Sequence, residues 1–72
     1  MAELELFAAV AVLEELPAKG LKCGQVGTIV ELLAPGVYEV EFSDGDSQTY
    51  AMASLRTDQL MQLLHEPSYQ AA

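Results

Sequence analysis

Gly24-Gln25-Val26-Gly27-Thr28-Ile29-Val30-Glu31, with Val37-Tyr38-Glu39-Val40-Glu41-Phe42 a turn later, is the stretch whose reading decides the fold. Two glycines feed a β-branched run, and an alternating run comes back across it. Glycine suits a turn or a close approach between backbones, while Thr28, Ile29 and Val30 suit a pleated surface. The returning run sets Tyr38, Val40 and Phe42 on one face and Val37, Glu39 and Glu41 on the other. That period of two is expected of a half-buried strand. Between the runs, Ala34-Pro35-Gly36-Val37 reads as a type II turn, with Pro second and Gly third. Ser43-Asp44-Gly45-Asp46-Ser47 reads as another turn, rich in residues that bond their own backbone or tolerate positive φ. Gln48 to Ala53 then returns as a strand. Gly24, Gly27, Pro35, Gly36 and Gly45 are accordingly the expected turn and bend residues, and the whole is a sharply bent meander.

Toward the N-terminus the signal weakens. Met1 to Leu16 is rich in Ala, Glu and Leu and scores well for helix, with Leu4, Phe7, Ala11 and Glu14 along one helical face. Yet Val10-Ala11-Val12 leans toward β, and an apolar run of this length fits a strand buried on both faces equally well. Helix and strand stay open on local grounds. Glu14 to Cys23 reads as a long loop: Pro17 stops any helix ahead of it and biases Leu16 to an extended shape. Leu16 and Leu21 are expected to tuck inward and anchor the loop. Toward the C-terminus Thr57 is a candidate N-cap. Two courses follow from it: one helical turn and a short strand through Leu60 to Leu64, or a full helix through His65. Pro67 ends either.

The chain has 72 residues, 51% of them hydrophobic and 19% charged. This is an ordered composition and enough for one domain with one modest core. A domain of about 60 residues buries only ~60% of the surface its unfolded chain exposes. The core is expected over residues 6–66, with 1–4 and 68–72 frayed. Three basic against eleven acidic side chains give a formal charge of −8. Such a surface repels phosphate backbones and anionic headgroups. The single Cys23 cannot bridge internally, which fits a reducing compartment. The acidic N-terminus is unlike a signal peptide, and the run Leu6 to Leu13 is too short to span a bilayer. A cytoplasmic location is expected.

The residues Val10-Ala11-Val12-Leu13, Leu16-Pro17, Leu21, Gly24 to Glu31, Tyr38 to Asp44, Thr49-Tyr50 and Gln59-Leu60 carry a family resemblance. From about Phe7 to Pro67 the chain resembles an uncharacterised family of small bacterial proteins, frequent in cyanobacteria and known only as a domain of unknown function. The family looks like an SH3-like barrel, and its glycine-led strand is similar to the KOW motif of ribosomal and transcription proteins. The resemblance implies a strand over residues 7–13. Family members often carry an Asp near the start of that strand, whereas Phe7-Ala8-Ala9 here offers no acid. No catalytic residue comes with the resemblance. The expected fold is therefore mostly β: a small SH3-like barrel of about five antiparallel strands with a short helical turn near the C-terminus.

Chemistry is sparse. KOW modules that bind RNA use basic loops, and this loop offers only Lys19 and Lys22, so the glycines are read as serving barrel geometry. Two-carboxylate hydrolysis needs one carboxyl in a pocket beside an ionised partner. Glu39 and Glu41 lie on a polar strand face and Asp44 and Asp46 in a turn, all solvated. Asp44-Gly45-Asp46 is too short a register for a Ca²⁺ loop. Cys23 and His65 are one thiol and one imidazole, short of a zinc site and without a visible third group for nucleophilic catalysis. An aromatic peptide groove from Tyr38, Phe42, Tyr50, Met52 and Met61 lacks the tryptophan such grooves use, and strand spacing puts Tyr38 and Phe42 in the core. Tyr50 is the aromatic expected to be partly exposed.

No catalytic, cofactor or metal site is expected. The functional expectation is a non-enzymatic module that binds a basic protein partner, of the kind met in antitoxins, immunity proteins and accessory subunits. Glu39, Glu41, Asp44, Asp46 and Tyr50 form its candidate surface. A KOW-like nucleic-acid or ribosome binder and a homodimer paired through an edge strand are the alternatives.

Overall fold

The computed structural model describes residues 4–46 and 48–64. Five strands run β1 (Ala9–Val12), β2 (Val26–Ala34), β3 (Val37–Ser43), β4 (Thr49–Arg56) and β5 (Leu60–Gln62). All pair antiparallel in one sheet of order β4-β3-β2-β1-β5. Short 3-10 turns occupy Pro17–Lys19 and Thr57–Gln59. The domain is thus mostly β, with one helical turn before the last strand, as the sequence leads one to expect.

The connection between β4 and β5 dictates the shape. These strands are the two edges of the sheet, yet only Thr57–Gln59 separates them. Laid flat, edge strands of a five-stranded sheet stand about 19 Å apart, four interstrand spacings. A 3-10 turn rises only about 2 Å per residue and cannot cross that gap. The sheet therefore rolls about its own apolar face. Val10 and Val12 of β1, Ile29 of β2, Tyr38, Val40 and Phe42 of β3, Ala53 and Leu55 of β4 and Leu60 of β5 meet in one cluster. Irregularities in β2 between Ile29 and Glu31 and between Leu32 and Ala34 supply the bend, since a bulge kinks its strand and adds twist.

Gly27 is the close approach in that pair. A Cβ there would stand 2.7 Å from Val40 Cγ1, 2.9 Å from the Glu41 carbonyl oxygen and 2.9 Å from Phe42 Cδ2. Gly36, at φ +75°, fills the third position of the Pro35-Gly36 turn, where type II geometry needs positive φ. The Thr57 N–H donates to the Gly36 carbonyl at 3.0 Å, tying this hairpin to the turn ahead of β5. Gly24 also has positive φ, whereas Gly45 does not and its Cβ position is open. Gly45 therefore sits in its turn without a conformation that requires glycine.

Leu21 is buried in the core and Leu16 packs against it, bridged to Leu21 by the loop's own backbone. The loop is anchored as expected. Four readings need correction. The first strand spans Ala9–Val12, shorter than 7–13, because Phe7 adopts φ +68° and leaves the extended region; its ring is exposed. Leu4, placed in a frayed end, packs against the core and donates its N–H to Tyr38 Oη at 3.0 Å. The fourth strand runs on to Arg56. The N-cap of the last turn is Arg56, not Thr57; the Thr57 hydroxyl donates instead to the Gly36 carbonyl. Helical continuation through His65 is excluded as far as Gln62, where β5 stands; His65 and residues 68–72 lie outside the described residues.

Candidate interaction surface

The outer face of the sheet is built on β3. Its inward residues are the core aromatics and Val40; Val37, Glu39, Glu41 and Ser43 face outward by the same alternation. The register sets Glu31 of β2 opposite Glu39 and Thr28 opposite Glu41. On the other side, Ser54 of β4 stands opposite Glu39 and Met52 opposite Glu41. The Ser54 hydroxyl donates to Glu39 Oε1 at 3.1 Å, which draws that carboxylate over β4. Like charges directly across a strand pair are destabilising, and here Glu31 and Glu39 occupy such a pair. The one ion pair among the described residues is Arg56 to Asp58, 3.0 Å and exposed at both ends. Among the described residues no cation pairs with the three glutamates.

Asp44 and Asp46 continue the acidic line beyond the end of β3, but they differ in kind. Asp44 Oδ1 accepts the N–H groups of Asp46 at 2.9 Å and Gln48 at 3.0 Å. Its carboxylate thus holds the turn, as short polar side chains do. Asp46 is exposed. Tyr50 is the extra residue where the β3–β4 register shifts beyond Phe42. That bulge turns its ring toward Phe42, 6.4 Å between centroids, and its hydroxyl accepts from Gln25 Nε2 at 2.9 Å. Tyr50 remains 48% exposed, as expected of the partly exposed aromatic. Glu39 and Glu41 therefore share the outer sheet face, whereas Asp44 serves the turn and Tyr50 stands half-exposed with its ring beside Phe42.

Glu31 is the member that sequence reasoning missed. Strict alternation from Thr28 (outward) and Ile29 (inward) would point Glu31 inward; the irregularity after Ile29 returns it to the outer face. Tyr38 and Phe42 are buried, so they supply no wall for a peptide groove. Cys23 is exposed, with its N–H on Glu15 Oε2 at 2.7 Å and its thiol on the Leu13 carbonyl at 3.4 Å. Among the described residues no three His, Cys, Asp or Glu side chains converge to hold a metal ion, no cavity opens, and no helix is long and apolar enough to cross a membrane.

A family model described as a domain of unknown function, DUF4926, matches residues 6–62. The chain belongs to that family. All five strands of this DUF4926 domain lie inside the matched span. No curated protein and no solved structure matches the chain.

Proposed function

We propose that this DUF4926 domain is a non-enzymatic interaction module with an SH3-like arrangement, presenting an acidic sheet face to a basic protein. The group Glu31, Glu39 and Glu41, arrayed on the outer face of β2 and β3 with no cation paired to them among the described residues, carries this reading. Keeping a like-charge pair across two strands costs stability, and a basic partner would convert that cost into attraction. Charge complementarity of this kind speeds encounter and selects partners. An antitoxin-like, immunity-like or accessory-subunit role would use it. The strand order and the three-residue turn ahead of β5 support the SH3-like part of the reading. A formal charge of −8 opposes nucleic acid, whose affinity rests on neutralised phosphates.

The test is affinity purification of the tagged chain from its own cells at low and at high salt, beside the triple variant E31Q/E39Q/E41Q. A stoichiometric basic polypeptide should accompany the parent at low salt and leave both at high salt and from the variant. Equal recovery on parent and variant would refute the acidic face as the binding surface.

A further inference from the structure

Beyond the acidic face, the structure leaves one edge of the sheet open beside it. Among the described residues strand β4 pairs only with β3. The Thr57 N–H donates to the Gly36 carbonyl, and the register continues in step as Tyr38↔Leu55 and Val40↔Ala53. Antiparallel pairs alternate between bonded and non-bonded positions. Leu55 and Ala53 thus turn their backbone groups to β3, and Met52, Ser54 and Arg56 turn theirs to the free side. Arg56 fits this phase, because its N–H is taken by Gln59 Oε1 at 2.9 Å. Gln59, itself buried, thereby closes the end of the edge. Met52 and Ser54 have no such cover among the described residues.

Natural edges are blunted by Lys, Pro, bulges or inward charges. From Ala51 to Leu55 the edge reads Ala-Met-Ala-Ser-Leu, with none of these. The nearest irregularity is the bulge at Tyr50. A second copy of the chain would bring another −8 to this edge, beside the uncompensated carboxylates on β3. An alternating basic strand instead meets complementary charge. Side chains facing outward opposite Ser54 and Met52 would lie beside the Glu39 carboxylate, which Ser54 already holds over β4, and toward Glu41 one strand further. Side chains on the other face would continue the small apolar row of Ala51 and Ala53.

We propose that β4 receives an extended segment of the partner as a sixth strand, with lysine or arginine at alternate positions on its outer face. This is strand addition, in which backbone bonds hold the segment and alternate side chains select it. The proposal rests on the acidic-face reading and adds its mode of binding.

The experiment uses the full ¹⁵N-labelled chain and a decapeptide of alternating lysine and valine. The control peptide has the same composition with its lysines in one block. With the alternating peptide at about ten times its Kd, exchange of the Met52 and Ser54 amides should slow about elevenfold, because only the free fraction exchanges. Leu55 and Ala53 should change far less. The alternating peptide should bind more tightly than the block peptide, and E39Q and E41Q should each weaken it about two- to five-fold. Ser54→Pro, which removes a donor on the free side of an edge strand where Pro is tolerated, should abolish the protection; the exchange data on the parent chain stand without it. Binding of the alternating peptide with unchanged Met52 and Ser54 exchange would overturn the strand addition and leave the acidic face intact. Failure of both peptides to bind in low salt would sink both readings. Protection present before peptide is added and growing with protein concentration would assign the edge to a second copy and overturn the proposal.

Discussion

Gly27→Ala tests the geometry that bends this sheet. The added methyl meets Val40 Cγ1 at 2.7 Å, the Glu41 carbonyl oxygen at 2.9 Å and Phe42 Cδ2 at 2.9 Å. Val40 and Phe42 are fully buried core residues, and the carbonyl belongs to the strand paired with β2, so none of the three is a flexible tip. Overpacking of this kind costs about 1–3 kcal/mol. The loss of backbone freedom in the unfolded chain returns about 0.4–1 kcal/mol, leaving a net loss of about 1.3 kcal/mol at mid-range (extremes of about 0 and 2.6). A domain of this length has roughly 4–11 kcal/mol in total, so the variant should fold but melt early. At about 4–8 °C per kcal/mol for small domains, the mid-range loss lowers the midpoint by roughly 5–10 °C. Urea unfolding followed by tyrosine fluorescence should show a lower midpoint at an unchanged slope. Gly45→Ala is the matched control: nothing lies within 4 Å of its Cβ position and its φ is outside the left-handed region. It should stay within about 0.5 kcal/mol of the parent. Gly27→Ala unfolding with or after the parent would refute the close approach and, with it, the account of why a glycine leads β2.

Other perturbations probe separate contacts. Gln59→Ala removes the acceptor of the Arg56 N–H and the donor to Glu14 Oε2, and is expected to cost about 1–3 kcal/mol in urea unfolding. Tyr38→Phe keeps the ring but loses the oxygen that accepts the Leu4 N–H. It should cost about 0.5–1.5 kcal/mol and speed exchange of the Leu4 amide without moving that of Val40. Glu31→Lys turns the like-charge pair with Glu39 into an attractive one, and should stabilise by about 0.2–1 kcal/mol. That gain should fade in 1 M salt, where the screening length is about 3 Å; a gain that survives would point to a cause other than charge.

The β2–β3 pair was legible because its alternation is clean and a Pro-Gly turn separates the runs. Strand β1 was not, for a reason the structure supplies. It lies between β2 and β5, and its outward residue Ala11 is buried as well as the inward Val10 and Val12. With apolar residues on both faces, period two leaves no mark, and local propensity leaves helix and strand open. Thr57 shows a different failure. A threonine ahead of a polar turn is a fair N-cap by local chemistry, but the Gly36 carbonyl, 21 residues away in sequence, takes its hydroxyl at 3.3 Å. Phe7 at φ +68° carries no signal at all in its neighbours.

The surface was legible only in part, and the missing part changes its meaning. Glu39 and Glu41 follow from alternation along one strand and, alone, are an ordinary solvated face. What distinguishes the face is Glu31 set directly across from Glu39, and that depends on a strand irregularity that no period predicts. A fold could relieve the pair cheaply with one lysine on either strand, yet Lys19 and Lys22 both lie in the β1–β2 loop and Arg56 is engaged by Asp58. Like charges left facing each other in the register, where relief is one substitution away, are the pattern expected of a surface whose cation comes from another molecule. The stabilisation expected of Glu31→Lys and the loss of partner expected of E31Q/E39Q/E41Q therefore stand together: if the proposed face is the binding surface, the residue facing Glu39 should both cost the isolated domain stability and hold the proposed partner.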